Sequence, residues 1–178
     1  MTELEMMRWI LGTLITAGTL AVTVMYFFRN DENPAVAIAM AGDSRSMLLQ
    51  TLMSSASDKK TAIPSAVLES KVYEKIQRNI RDGVIINESN PIWDELEKTI
   101  LLSRPKFKSN LYVLSVGDLK PSDLHMALLI KCGVSPANIA MLVGRSKSTI
   151  TFRRKDMGKK FFDRDMDANA VDELIRLL

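Results

Sequence analysis

Twenty consecutive residues without a charge, residues 9–28, constrain this chain more than any other feature of it. A helix rises about 1.5 Å per residue, so such a stretch covers roughly 30 Å, the depth of bilayer hydrocarbon. Hydrocarbon offers peptide groups no partners, so a lone apolar segment can satisfy its backbone there only as a helix. Arg8 and Arg29 bracket the stretch, and Trp9 and Tyr26 lie near its ends, where amphipathic rings favour the headgroup level. The expectation is a short tail, residues 1–8, followed by a single transmembrane helix, residues 9–28. A cleaved signal peptide is the alternative, because Ala37-Ile38-Ala39 and Ala39-Met40-Ala41 both have the small-residue spacing of a cleavage site. Against it, the apolar stretch exceeds the roughly 7 to 15 residues of such peptides, and Glu3 and Glu5 stand where a basic cluster belongs. Arg8 is the one basic residue ahead of the span, whereas Arg29, Arg45, Lys59 and Lys60 follow it. The positive-inside bias therefore places the C-terminal portion in the cytoplasm.

The chain of 178 residues has room for one ordinary domain plus attachments. Its net charge of +3 is uninformative until it is divided along the sequence. Residues 104–164 hold 13 basic and 4 acidic side chains, a balance of +9 against −6 for the remainder. Basic charge is thus gathered into one region, which marks a surface for a polyanion. The single cysteine, Cys132, rules out an internal disulfide, and one Cys with one His, His125, excludes a Cys/His zinc site.

Residues 29–63 mix Ala, Ser, Asp, Asn and Met without a sustained period and are expected to form a tether. Thirty-five flexible residues would reach about 30 to 35 Å. From Ser65 to Arg81, Leu68, Val72, Ile76 and Ile80 recur every four residues, which predicts one amphipathic helix ended by Asp82-Gly83. Pro91 opens a second helix carrying Ile92, Trp93, Leu96 and Ile100, and Pro105 stops it. A short apolar piece with Phe107, Leu111 and Leu114 completes a small helical subdomain, residues 64–114.

Residues 115–178 read as three closely crossing helices with a fourth behind them. Ser122 is the expected N-cap of the first, which buries Leu124, Leu128 and Leu129 and ends at Cys132-Gly133. Pro136 opens the second, with Ile139, Ala140, Leu142 and Val143 inward and Gly144 closing it; Ala140 is small enough to let the next helix pass. The third begins near Ser146 and turns Ile150, Met157 and Phe161 inward. This is the pattern of a helix-turn-helix. Outward lie Lys147, Ser148, Thr149, Thr151, Phe152, Arg153, Lys155 and Lys159, with Arg154 and Lys160 at the flanks and Arg145 just ahead. Seven basic residues against one acidic, Asp156, between positions 145 and 160 suit a helix that grips phosphates and reads base edges; a solvated charged face would mix the signs more evenly.

The run Leu119-Lys120-Pro121-Ser122-Asp123-Leu124, then Leu129-Ile130-Lys131-Cys132-Gly133-Val134-Ser135, Asn138-Ile139-Ala140, Ser146, Ser148-Thr149-Ile150 and Lys159-Lys160-Phe161 resembles the LuxR/GerE type of helix-turn-helix domain. The resemblance implies that Thr149 and Thr151 lie at the groove, that Arg153 takes the family's usual basic position, and that Lys160 grips a phosphate. Phe152 is large for an exposed groove position, and Asp156 adds a negative charge, both departures from the pattern. Trp93-Asp94-Glu95-Leu96 with Pro105, Phe107 and Leu111 extends the likeness, over residues 67–178, to bacterial membrane-anchored regulators that end in this domain. Those regulators often carry a sensor ahead of the span. Here only the short tail precedes it, so sensing is expected from a separate sensor protein or from a longer form of the chain.

Three features look chemical. Asp163, Asp165 and Asp167 open like a calcium loop, but Ala168 stands where the turn needs Gly and Leu174 where the ligand set needs Glu; the acids are expected to cap the last helix. Cys132 and His125 have no orienting acid placed with them and are expected to pack. No Gly-rich phosphate loop occurs. The expectation is therefore a non-enzymatic all-α protein without a cofactor: tail, span, tether, helical subdomain and a helix-turn-helix domain over residues 115–178. It would sit in the bacterial inner membrane with that domain in the cytoplasm and regulate transcription by binding double-stranded DNA. The last helix carries a stripe of Val171, Leu174, Ile175 and Leu178, through which the resemblance implies a homodimer. The rival expectation is a membrane-anchored protein whose helix-turn-helix binds a protein such as RNA polymerase or a sigma factor.

Overall fold

The computed structural model describes residues 34–56, 63–116 and 118–178, all helix and connecting turns; among them there is no strand. The tail and the predicted span, residues 1–8 and 9–28, lie outside the described residues, and among the described ones no helix is long and apolar enough to cross a membrane. The chain divides into two compact units, Met1–Met40 and Ala41–Leu178. The second contains one continuous apolar core running from Leu52 to Leu178.

Helix α1, Pro34–Ala56, occupies most of the predicted tether. Its sequence lacks a period, yet it is rich in Ala, Met and Leu, which lose little on entering a helix. Its C-terminal half is no free linker: Leu52 is buried, and Leu48, Leu49 and Met53 pack on the core. Arg45 Nε also donates to the Leu114 carbonyl at 3.2 Å.

The predicted single helix after Ser65 is two, α2 (Ser65–Leu68) and α3 (Lys71–Asp82). Ser70 interrupts it, its hydroxyl accepting from the Tyr73 amide at 3.2 Å and donating to the Val67 carbonyl at 2.6 Å. The break rotates the first turn, so that Val67 is buried and Leu68 is exposed, the reverse of the periodic reading. Gly83 then ends α3 in the left-handed region, φ 67°, as Asp82-Gly83 predicts. Helix α4, Ile92–Ser103, buries Ile92, Trp93, Leu96 and Ile100, and α5, Phe107–Leu114, buries Phe107, Leu111 and Leu114.

The remaining helices are α6 (Pro121–Lys131), α7 (Pro136–Leu142), α8 (Lys147–Phe162) and α9 (Ala168–Leu177). Lys120, not Ser122, is the N-cap of α6; Pro121 already holds the first helical position, which leaves Ser122 inside the first turn. Ser135 caps α7 by accepting from the Asn138 amide at 3.3 Å, and Ser146 caps α8 by accepting from the Thr149 amide at 3.1 Å. Asp167 caps α9 by accepting from the Asn169 amide at 3.1 Å. Gly133 at φ 70° and Gly144 at φ 62° make the sharp exits from α6 and α7, conformations that strain any side chain with a Cβ.

The boundary drawn at residues 114 and 115 is no break in packing. Helix α3 packs on α7, α4 on α6 and α5 on α8, so the small subdomain and the C-terminal helices share one core. Val171, Leu174, Ile175 and Leu178 are buried, α9 packing on α8 and α6. The stripe expected to pair two copies is therefore consumed within one copy.

Candidate nucleic-acid interface

Helix α8 is held by its inward residues Ile150, Met157, Phe161 and Phe162, all buried, and by a close approach to α9 at Gly158. A Cβ there would lie 2.8 Å from Val171 Cγ2 and 3.0 Å from Met166 Cγ. Gly158 thus lets α8 and α9 cross, a contact separate from the passage of α8 beside α7 expected at Ala140, and no spacing in the sequence singles it out.

The predicted site residues fall into two groups. Arg145, Lys147, Ser148, Thr149, Thr151, Phe152, Lys155 and Lys159 are exposed, together along the start and outer face of α8. Among the described residues, Arg145, Lys147 and Lys155 have no acidic partner within ion-pair distance. Lys159 lies 3.9 Å from Asp165, with both side chains in solvent, so the pair contributes little. Thr151 Oγ1 donates to the Lys147 carbonyl at 3.0 Å, which leaves its lone pairs as acceptors toward solvent. The Thr149 hydroxyl shares a 2.8 Å hydrogen bond with that of Ser146.

The second group is engaged inside the protein. Arg154 is 3 % exposed and cannot contact an external partner, contrary to its expected place on the site. Its Nε and Nη2 donate to both oxygens of Asp172, at 2.8 and 2.6 Å, and Nη2 also reaches the Ala168 carbonyl at 3.1 Å. Burial pushes the Asp172 carboxyl up from its ordinary value, and the Arg154 charge opposes that shift. Lys160, expected to grip a phosphate, instead donates to Asp123 Oδ2 at 2.9 Å and lies 3.4 Å from Asp118 Oδ2. Burial lowers the Lys160 ammonium, but the hydrogen bonds and charges of these two aspartates outweigh it and hold it above its ordinary value. Arg153 is half-buried, its Nη2 donating to Ser122 Oγ at 2.7 Å with Asp123 at 3.9 Å. Asp118, Asp123 and Asp172 thus sort the basic residues. Only Asp123, an acid in the first turn of a helix, gives any sequence signal, and that signal explains the acid without naming its partner.

Beside the start of α8, His125 lies flat on Trp93, ring centroids 4.2 Å apart and planes 7° from parallel. Burial lowers the imidazole from its ordinary value, while Glu88, Asp94 and Glu97 pull it back up. Cys132 is wholly buried and its thiol is pushed up to about 12, so it is no nucleophile at neutral pH. Comparisons with protein families, with curated proteins and with solved structures give no match to this chain.

Proposed function

We propose that α7 and α8 form a DNA-binding helix-turn-helix, with α8 entering the major groove, on a transcriptional regulator of the LuxR/GerE-like kind anchored by residues 9–28. The observation that carries this reading is the outer face of α8, where hydroxyls and unpaired cations are exposed together on a helix fixed from behind by a buried core. A helix of that width fits the groove, hydroxyls and cations there meet base edges and phosphates, and a rigid mount supplies the register that reading requires. The length and flanking charges of the span support retention in the inner membrane with α1–α9 in the cytoplasm.

Thr151 is the test residue, because its proton is directed into its own helix and only acceptor capacity faces outward. It would then accept from the exocyclic amine of adenine or cytosine. Thr151→Ala should relax preference at one base position, by about 1 to 3 kcal/mol, and leave binding to random duplex nearly unchanged. Selection of bound sequences by the parent and the variant measures this. If the two select identical sites, Thr151 reads no base.

One observation favours a second reading. Phe152 is 72 % exposed at the centre of the same face, and an aromatic ring there suits a protein partner such as RNA polymerase or a sigma factor. Phe152→Ala separates the two, since it should abolish protein capture while leaving duplex affinity within a few-fold.

A further inference from the structure

A cleft of about 210 Å³ opens between the loop after α3 and the start of α8. Ile86, Met126 and Val143 give it apolar walls, while Arg145, Arg153, His125 and Glu88 bring charge to its lining. We propose that it binds a small carboxylate with an apolar body. Two guanidiniums stand against Glu88 and against Asp123, which lies 3.9 Å from Arg153, so Arg145 is the cation that draws an anion to the cleft. Arg145 has no acidic partner among the described residues, and Arg153, whose Nη2 is held by Ser122 beside Asp123, keeps its other guanidinium donors for a small ligand. Guanidinium forks match a carboxylate in plane. Neither ring nitrogen of His125 has a hydrogen-bond partner among the described residues, and the stack on Trp93 holds the ring in place to supply one. The volume falls below the roughly 300 Å³ at which drug-sized sites begin. That suits a molecule of the size of benzoate.

His125 is the one histidine of the chain, so its ring signals in nuclear magnetic resonance report on this cleft alone. The full chain in detergent micelles, with labelled histidine, is titrated with benzoate, with uncharged benzamide and with inorganic phosphate. Benzoate should shift the signals saturably and raise the pH at which the ring titrates, benzamide should do neither, and phosphate should bind several-fold more weakly. Arg145→Gln and Arg153→Gln should each weaken benzoate roughly tenfold, the loss of one charge-assisted contact. Arg145 is exposed, so its variant stays folded even where Arg153→Gln disturbs Ser122. No saturation, equal effects of benzoate and benzamide, or unchanged affinity in both variants overturns the proposal. Phosphate matching benzoate overturns it too, because the walls then contribute nothing and the cleft is only a contact for a nucleic-acid backbone. No DNA is present in the titration, so its outcome is independent of whether α8 reads a duplex.

Discussion

Arg154 and Lys155 are neighbours of like charge on one helix, and what faces them makes one a structural anchor and the other a free cation. Arg154 is sealed against Asp172 with both carboxylate oxygens engaged, whereas Lys155 points to solvent. Removing one member of a buried pair strands the other charge, so Arg154→Ala should destabilise the folded unit by roughly 3 to 5 kcal/mol. Replacing both members by apolar residues of similar volume should be far milder, because no charge is then left unpaired. Urea denaturation of the two variants checks this, and equal losses would mean that packing, not charge, is the contribution of Arg154. The sequence could not separate these residues: Asp172 lies 18 positions from Arg154, and Asp123 lies 37 from Lys160, so neither pairing leaves a helical spacing to read.

At the scale of elements, α6 to α9 were legible because their ends carry their own chemistry. Pro136, Ser146 and Asp167 mark the starts of α7, α8 and α9, Gly133 and Gly144 supply left-handed exits, and the inward residues of α8 repeat at helical intervals, while the cap of α6 falls at Lys120 and not at Ser122. Helix α1 was not legible, since it forms through propensity and docks through few side chains, and α2 parted from α3 because the hydroxyl of Ser70 outweighed periodicity. The crossing of α8 and α9 at Gly158 was hidden as well, and it can be tested directly. Ala would gain about 1 kcal/mol of helix propensity, but overpacking costs typically 1 to 3 kcal/mol, and branched Val171 has little freedom to yield. Gly158→Ala should thus lower stability modestly and Gly158→Val severely, read as thermal midpoints; a stabilised Gly158→Ala would show that the helices can separate without loss. The contact between α6 and α9 makes a pH-dependent prediction. Lys131 is buried, donates to the Arg176 carbonyl and lies 5.5 Å above the Phe107 ring, and burial, with Arg104 adding to it, lowers its ammonium to about 8 from 10.5. Between those two values the unfolded chain binds more protons than the folded one, so this group's contribution to stability rises with pH through that window and is absent below it. Lys131→Met should remove that rise, seen as a flatter difference in denaturation midpoint between pH 8 and 10.5; parallel curves for parent and variant would place the ammonium at its ordinary value.

Charge belongs to the molecule as a whole, and folding changes how much of it an external polyanion can meet. Read along the sequence, seven cations between positions 145 and 160 could each neutralise a phosphate. In the folded chain Arg154 is spent on Asp172, Lys160 on Asp118 and Asp123, and Arg153 on Ser122. Arg145, Lys147, Lys155 and Lys159 remain exposed. Each neutralised phosphate contributes about 0.9 to the slope of log affinity against log salt, so one bound copy should show a slope of about −3.6, where seven cations would give about −6.3. Duplex binding by the full chain in lipid nanodiscs, with stoichiometry fixed at every salt concentration so that the slope refers to one copy, measures this. Lys155→Ala should shrink the slope by about 0.9. Lys160→Ala should leave it unchanged and lower thermal stability instead, because its ammonium is satisfied by two aspartates before any DNA arrives. A steeper slope that falls when Lys160 is replaced would mean that DNA competes successfully with Asp118 and Asp123 for that side chain. A duplex that does not bind at low salt would remove the DNA reading altogether and leave exposed Phe152 as the centre of a protein-binding face.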